Sequence, residues 1–144
     1  MRPEQEIEPN VQQAVPFFAV SAMDASLRYY VDGLGFKMTD EWLVGGKVRW
    51  CALELGGGAL MLQEFEREGH DSWVPESKVG VGVTIYFMCR DALALYREFV
   101  ARGVEATRPF VGNSMWVTSL EDPDGYRLSF ESPTDAPEES QYEE

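Results

Sequence analysis

Three side chains near the end of the chain, Arg127, Ser129 and Glu131, stand two residues apart in the stretch EDPDGYRLSFES (121–132). Tyr126, Leu128 and Phe130 alternate with them, so the segment reads as a strand with one face in a core. Its other face presents a cation, a hydroxyl and a carboxylate. Glu131 is the candidate acid–base group, because a carboxylate in an apolar cavity has a raised pKa and can give or take a proton. The competing reading is an ion pair with Arg127, its neighbour along the same face. The chain has one histidine, His70, which falls in the polar stretch EREGHDSWVPESKVG (66–80) and reads as a solvated loop residue. A composite metal set of Glu64, Glu131 and His70 is the alternative for it. Cys51 and Cys89 fall inside strand-like runs and read as buried thiols rather than as a disulfide. Gly56-Gly57-Gly58 is a turn without the following helix that a phosphate-cradling loop needs.

The elements that must position these residues come in a repeated order. AVPFFAV (14–20) is strand-like, and SAMDASLRYYVDGLGF (21–36) follows with Asp24 as the predicted helix N-cap. Leu27, Tyr30, Val31 and Leu34 form one helical stripe, and Gly33-Leu34 reads as a glycine C-cap. Strand-like runs over 36–43, 47–55 and 59–65 come next, separated by glycine turns. The second half repeats this: a strand over 81–89, a helix over 90–104 capped by Asp91, then strands over 104–110, 114–120 and 126–131. The two capping aspartates lie 67 positions apart, the spacing of a duplicated supersecondary module rather than a solenoid. The expected organisation is an acidic flexible tail (1–13), a first βαβββ module (14–66), a joint loop (67–80), a second module (81–132) and an acidic C-terminal tail (133–144). The joint reads as a linker or a lid-like loop.

The formal charge of −13 is concentrated in those tails, which hold eight acids against one base and are expected to be solvated and mobile. The remaining body carries 17 acids and 11 bases, a balance that argues against nucleic acid and mildly favours cationic or neutral ligands. No run of about 18 apolar residues and no apolar leader is present, so no membrane partner is expected and the expected address is the cytoplasm.

The duplicated order, with YYVDGLGF (29–36) closing the first helix and EDPDGYRLSF (121–130) opening the last strand, resembles the vicinal oxygen chelate superfamily. That superfamily contains the glyoxalases, bleomycin resistance proteins and extradiol dioxygenases. The resemblance covers about residues 14–132 and implies an α+β fold in which two βαβββ modules form a curled, open mixed sheet around a cavity, usually in a homodimer. In metal-dependent members the ligands lie on the first and last strands of each module. Carried over by position they fall at Val15, at Leu62 (or Glu64), at Thr84 and at Ser129, where transition-metal ligands of the usual kinds are mostly missing.

With Ser129 facing the cavity, parity adds Arg127, Thr84, Tyr86 and Phe17 to the same lining. Trp42, Trp50 and Trp116 would offer stacking surfaces beside it, or serve as core and interface aromatics. RPFVGNSMWV (108–117) reads as a hairpin tip or as a loop over the pocket mouth. The expected function is that of a metal-free small-molecule-binding protein resembling the bleomycin resistance type, holding a cationic or aromatic ligand in a dimer cavity with no cofactor. The alternatives are a divergent metal-dependent lyase, isomerase or dioxygenase of the superfamily, and a non-catalytic partner-binding module.

Overall fold

A computed structural model describes residues 8–70 and 72–143; residues 1–7 of the expected N-terminal tail lie outside the described residues. The first module runs β1 (Phe17–Val20), α1 (Met23–Leu27) continuing into a π-helical turn (Arg28–Gly33), β2 (Lys37–Val44), β3 (Lys47–Leu55) and β4 (Gly58–Glu64). The second runs β5 (Thr84–Met88), α2 (Ala92–Ala101), β6 (Phe110–Gly112), β7 (Met115–Glu121) and β8 (Arg127–Pro133). Each module makes a four-stranded sheet, in the orders β1-β4-β3-β2 and β5-β8-β7-β6. β1 pairs parallel with β4 and β5 with β8, while the remaining pairs are antiparallel. The fold is α+β with two mixed sheets, and neither sheet closes on itself. Among the described residues no helix is long and apolar enough to cross a membrane.

Helices cover one face of the sheets, and a single core joins the modules there. Tyr30 of the first helical segment, with Leu34 and Phe36 just after it, packs with Leu53, Leu60 and Leu62 of its sheet and with Phe99, Leu120, Leu128 and Phe130 of the second module. The joints are reciprocal. Tyr126, just before β8, stacks on Phe18 of β1 at 4.0 Å, while Gly58 at the start of β4 abuts Phe87 of β5. A Cβ at Gly58 would stand 2.8 Å from that ring, so the close approach requires glycine.

The helix ends differ from expectation in an informative way. Asp91 caps α2 as predicted, accepting Ala94 N–H at 3.0 Å. The first helix instead starts from Ala22, with Asp24 in its first turn, and Glu64 accepts Met23 N–H at 2.7 Å. α2 ends in a Schellman cap: Val104 N–H reaches Phe99 C=O and Gly103 takes φ +81°. In the first module the left-handed residue is Gly35, not Gly33, and Phe36 N–H reaches back to Tyr30 C=O. Gly35 lies thirteen positions after Ala22 and Gly103 twelve positions after Asp91, so the π turn absorbs one inserted residue.

Two further expectations change. The run 104–110 is irregular up to its last residue, where β6 begins, and the strands expected over 14–20 and 81–89 form only at Phe17–Val20 and Thr84–Met88. The acidic C-terminal segment keeps its carboxylates exposed, but its backbone does not hang free. Val111 N–H donates to Ser140 C=O, Glu139 N–H to Val111 C=O and Tyr142 N–H to Pro109 C=O, so the segment lies along β6. Glu138 then accepts Asn113 N–H and Ser114 N–H at 2.8 and 3.0 Å, holding the two positive-φ residues of the hairpin tip.

Candidate functional site

The turn in EDPDGYRLSF is built around Asp122. One carboxylate oxygen accepts Asp124 N–H and Tyr126 N–H at 2.9 and 2.8 Å; the other accepts the Tyr30 hydroxyl at 2.7 Å. Burial raises the pKa of Asp122, against the opposing pull of these three donors. Burial, with Asp122 adding to it, also raises that of Tyr30. The Tyr126 hydroxyl accepts Ala19 N–H at 3.0 Å and donates to Ala19 C=O at 2.9 Å. These bonds tie the start of β8 to β1 and set the direction in which β8 leaves the turn.

On the face away from the helices, register lines the side chains in rows. Tyr86, Ser129 and Ser119 form one; Met88, Glu131 and Val117 a second; Thr84, Arg127 and Glu121 a third. In the first sheet Trp42, Trp50, Gln63 and Ala19 form a row beside Phe17, Met61, Ala52 and Asp40. This face is bare: Phe17, Trp42, Tyr86 and Met88 are 46%, 56%, 56% and 64% exposed. Ser129 is buried in its row, with its hydroxyl 2.8 Å from that of Ser119. Glu131 is half-buried, and among the described residues it makes no ion pair with Arg127. Arg127, Ser119 and Glu121 also border a hollow of about 760 Å³ under the irregular segment Gly103–Thr107.

The structure thus gathers Phe17, Trp42, Trp50, Thr84, Tyr86, Arg127, Ser129 and Glu131 on the open faces of the two sheets. Trp116 does not join them. It pairs with Ser132, one step out of parity with Ser129, and meets Tyr142 edge-on at 6.4 Å on the helix side. Trp73 takes a place that sequence reasoning missed. The joint loop closes on itself through paired Glu66 and Trp73 backbone bonds of 2.9 and 2.6 Å, setting the Trp73 ring 6.0 Å from Phe17. The signal available was an aromatic in an otherwise polar loop.

The donor set does not fit the metal site that the fold family implies. Leu62 is fully buried in the core, because β4 turns Met61 and Gln63 to the open face instead. Glu64 is committed to Met23 N–H and to Arg49, at 2.7 and 3.0 Å. Val15 lies just before β1, and Thr84 and Ser129 are neutral hydroxyls. His70 sits exposed on the joint loop, and among the described residues no three His, Cys, Asp or Glu side chains gather around a common point. Both cysteines are free thiols; burial pushes Cys51 up to about 11 and raises Cys89 as well.

The family model of the Glyoxalase/Bleomycin resistance protein/Dioxygenase superfamily matches residues 12–130. No curated protein sequence matches the chain. Among solved structures, TioX from Micromonospora sp. ML1 is 17% identical with a TM-score of 0.68, covering 85% of this chain and 99% of its own. TnmS3, an antibiotic binding protein from Streptomyces sp. CB03234, is 19% identical with a TM-score of 0.62, covering 85% and 98%. A glyoxylase/bleomycin resistance protein/dioxygenase domain from Frankia sp. EAN1pec is 17% identical with a TM-score of 0.66, covering 90% and 96%. At these identities the likeness shows a shared fold.

Proposed function

Because the chain belongs to the glyoxalase/bleomycin resistance protein/dioxygenase superfamily, we propose that it binds a small aromatic or cationic molecule on its open sheet faces without a metal. The observation that carries this reading is the make-up of those faces. Phe17, Trp42, Trp50 and Tyr86 offer stacking surface, Glu131 and Asp40 offer negative charge, and the implied ligand positions hold Val15, Leu62, Thr84 and Ser129. A cation held over an indole and beside a carboxylate gains from both attractions in a partly dry site. The described antibiotic binding of TnmS3 supports the same reading.

A bare apolar face of this kind is covered in use, and the occupant of the rest of it is a second copy of the chain. The working form is then a homodimer in the cytoplasm, with ligand held between open faces and no nucleic-acid or membrane partner. Elemental analysis of protein purified without chelators tests the absence of a metal. The expected content is below about a tenth of an equivalent of Zn, Ni, Fe or Mn, since a specific site of this kind binds tightly. One equivalent of a single metal would favour the divergent enzyme instead.

A further inference from the structure

The two modules leave their helices by the same turn and then part company. In the first, the left-handed Gly35 is followed two residues later by Lys37, where β2 begins with Lys37 opposite Glu54 of β3. In the second, the left-handed Gly103 is followed two residues later by Glu105, yet no strand forms before Phe110. Glu64 and Ser132 mark the same place on the two last strands, since each accepts the first amide of its module's helix, at 2.7 and 2.8 Å. Five residues before them stand Ala59, paired with Glu54, and Arg127, paired with Glu121. Glu121 is therefore the counterpart of Glu54, and Glu105 that of Lys37. A cation facing a carboxylate in one module becomes two carboxylates in the other, and like charges directly opposite destabilise strand pairing.

The missing rung leaves a gap beside β7. Thr107 N–H donates to Ser119 C=O and the Thr107 hydroxyl accepts Ser119 N–H, both at 2.9 Å. Glu121, two residues further along β7, turns its N–H and C=O to the same edge. Among the described residues neither these groups nor the backbone of Glu105 find a backbone partner there. The hollow of about 760 Å³ opens at this place, with Val100, Val104 and Leu120 as its apolar wall and Glu105, Glu121 and Arg127 as its charges. Arg127 is an addition of the second module, because Ala59 holds its place in the first. It stands opposite Glu121 in register, with Cβ atoms about 5 Å apart in such a pair, yet the two make no ion pair among the described residues.

We propose that this hollow is a second ligand site, for α-amino acids with apolar side chains. The ligand's ammonium group lies between Glu105 and Glu121, supplying the cation that Lys37 supplies opposite Glu54. Its carboxylate meets the Arg127 guanidinium, whose planar fork suits a carboxylate. Its side chain lies against Val100, Val104 and Leu120. A zwitterion thus brings each of its charges to an opposite one that the chain leaves unpaired. A hollow of this size is within the range of small-molecule pockets. The aromatic rows of the open faces take no part, so the site holds or fails independently of what those rows bind.

The test is a titration of the full chain with L-leucine followed by ligand-observed NMR. Isoamylamine, which lacks the carboxylate, and isocaproate, which lacks the ammonium group, are titrated in parallel. Saturable binding of leucine is expected, about tenfold weaker for either analogue and for Glu105→Gln, as loss of one charge contact implies. Glu105→Lys, which rebuilds the arrangement of Lys37 and Glu54, should abolish binding and slow amide hydrogen exchange at Glu121. Glu105 is exposed, so neither substitution disturbs the core. No saturation up to about 10 mM, a range that still detects very weak sites, equal binding of either analogue, or undiminished binding in Glu105→Lys would overturn the proposal.

Discussion

Asp122 shows how much one side chain can hold. Its carboxylate gathers Tyr30 from the first module and two turn amides from the second, and it is almost fully buried. Asp122→Ala should therefore cost about 3 kcal/mol in chemical denaturation, because it strands a buried hydroxyl and two amides. Tyr30→Phe, which removes one of those bonds, should cost about 1 kcal/mol. The raised pKa of Asp122 adds a pH signature. A carboxyl held above its unfolded value stabilises most when protonated, and that contribution is lost as pH rises through the folded value. The stability of the wild type relative to Asp122→Asn should fall as pH climbs above the ordinary value of 3.8; a difference that grows with pH would contradict the assignment. The DPDG turn and the parity of β8 were legible because apolar and polar residues alternate there. In β4 they do not: Leu60, Met61 and Leu62 are all apolar, so nothing in the stretch marks which face is buried, and Leu62 was placed one step out of parity. Trp116 was left open between a stacking surface and a core or interface aromatic, and its register with Ser132 puts it on the face away from Ser129.

At the scale of elements, the first helix carries an insertion that its sequence hides. The stripe of Leu27, Tyr30, Val31 and Leu34 has ordinary helical spacing, and one extra residue taken up as a π turn leaves it intact. The turn brings Gly33 against the second module, where a Cβ would stand 2.8 Å from Val104 Cγ2. Gly33→Ala should cost about 1–3 kcal/mol from overpacking, and Val104→Ala in the same chain should recover part of it. A purely local effect on the helix would give no such recovery. The C-terminal segment was read as a solvated tail from its charge alone. The backbone ladder to β6 and the Glu138 carboxylate on the hairpin amides are contacts that composition cannot reveal. Glu138→Ala should accordingly raise amide hydrogen exchange at Asn113 and Ser114, leaving the core strands protected.

For the whole molecule, the duplicated βαβββ order made the fold readable, since two copies of one grammar constrain each other. The function is less readable because the open faces acquire meaning only when both sheets are set in space and something covers them. Sedimentation should show a dimer at micromolar concentration, and Trp42→Glu should shift it toward monomer by placing a charge in a bare apolar face. In the proposed function these faces bind an aromatic or cationic molecule without a metal. A calorimetric titration of chelator-treated protein with metal-free bleomycin tests it most directly. Saturable heat is expected, weakened about tenfold by Trp50→Ala or Glu131→Gln and unchanged when zinc is added back. No heat from the chelated protein, with binding restored only by metal, would contradict it.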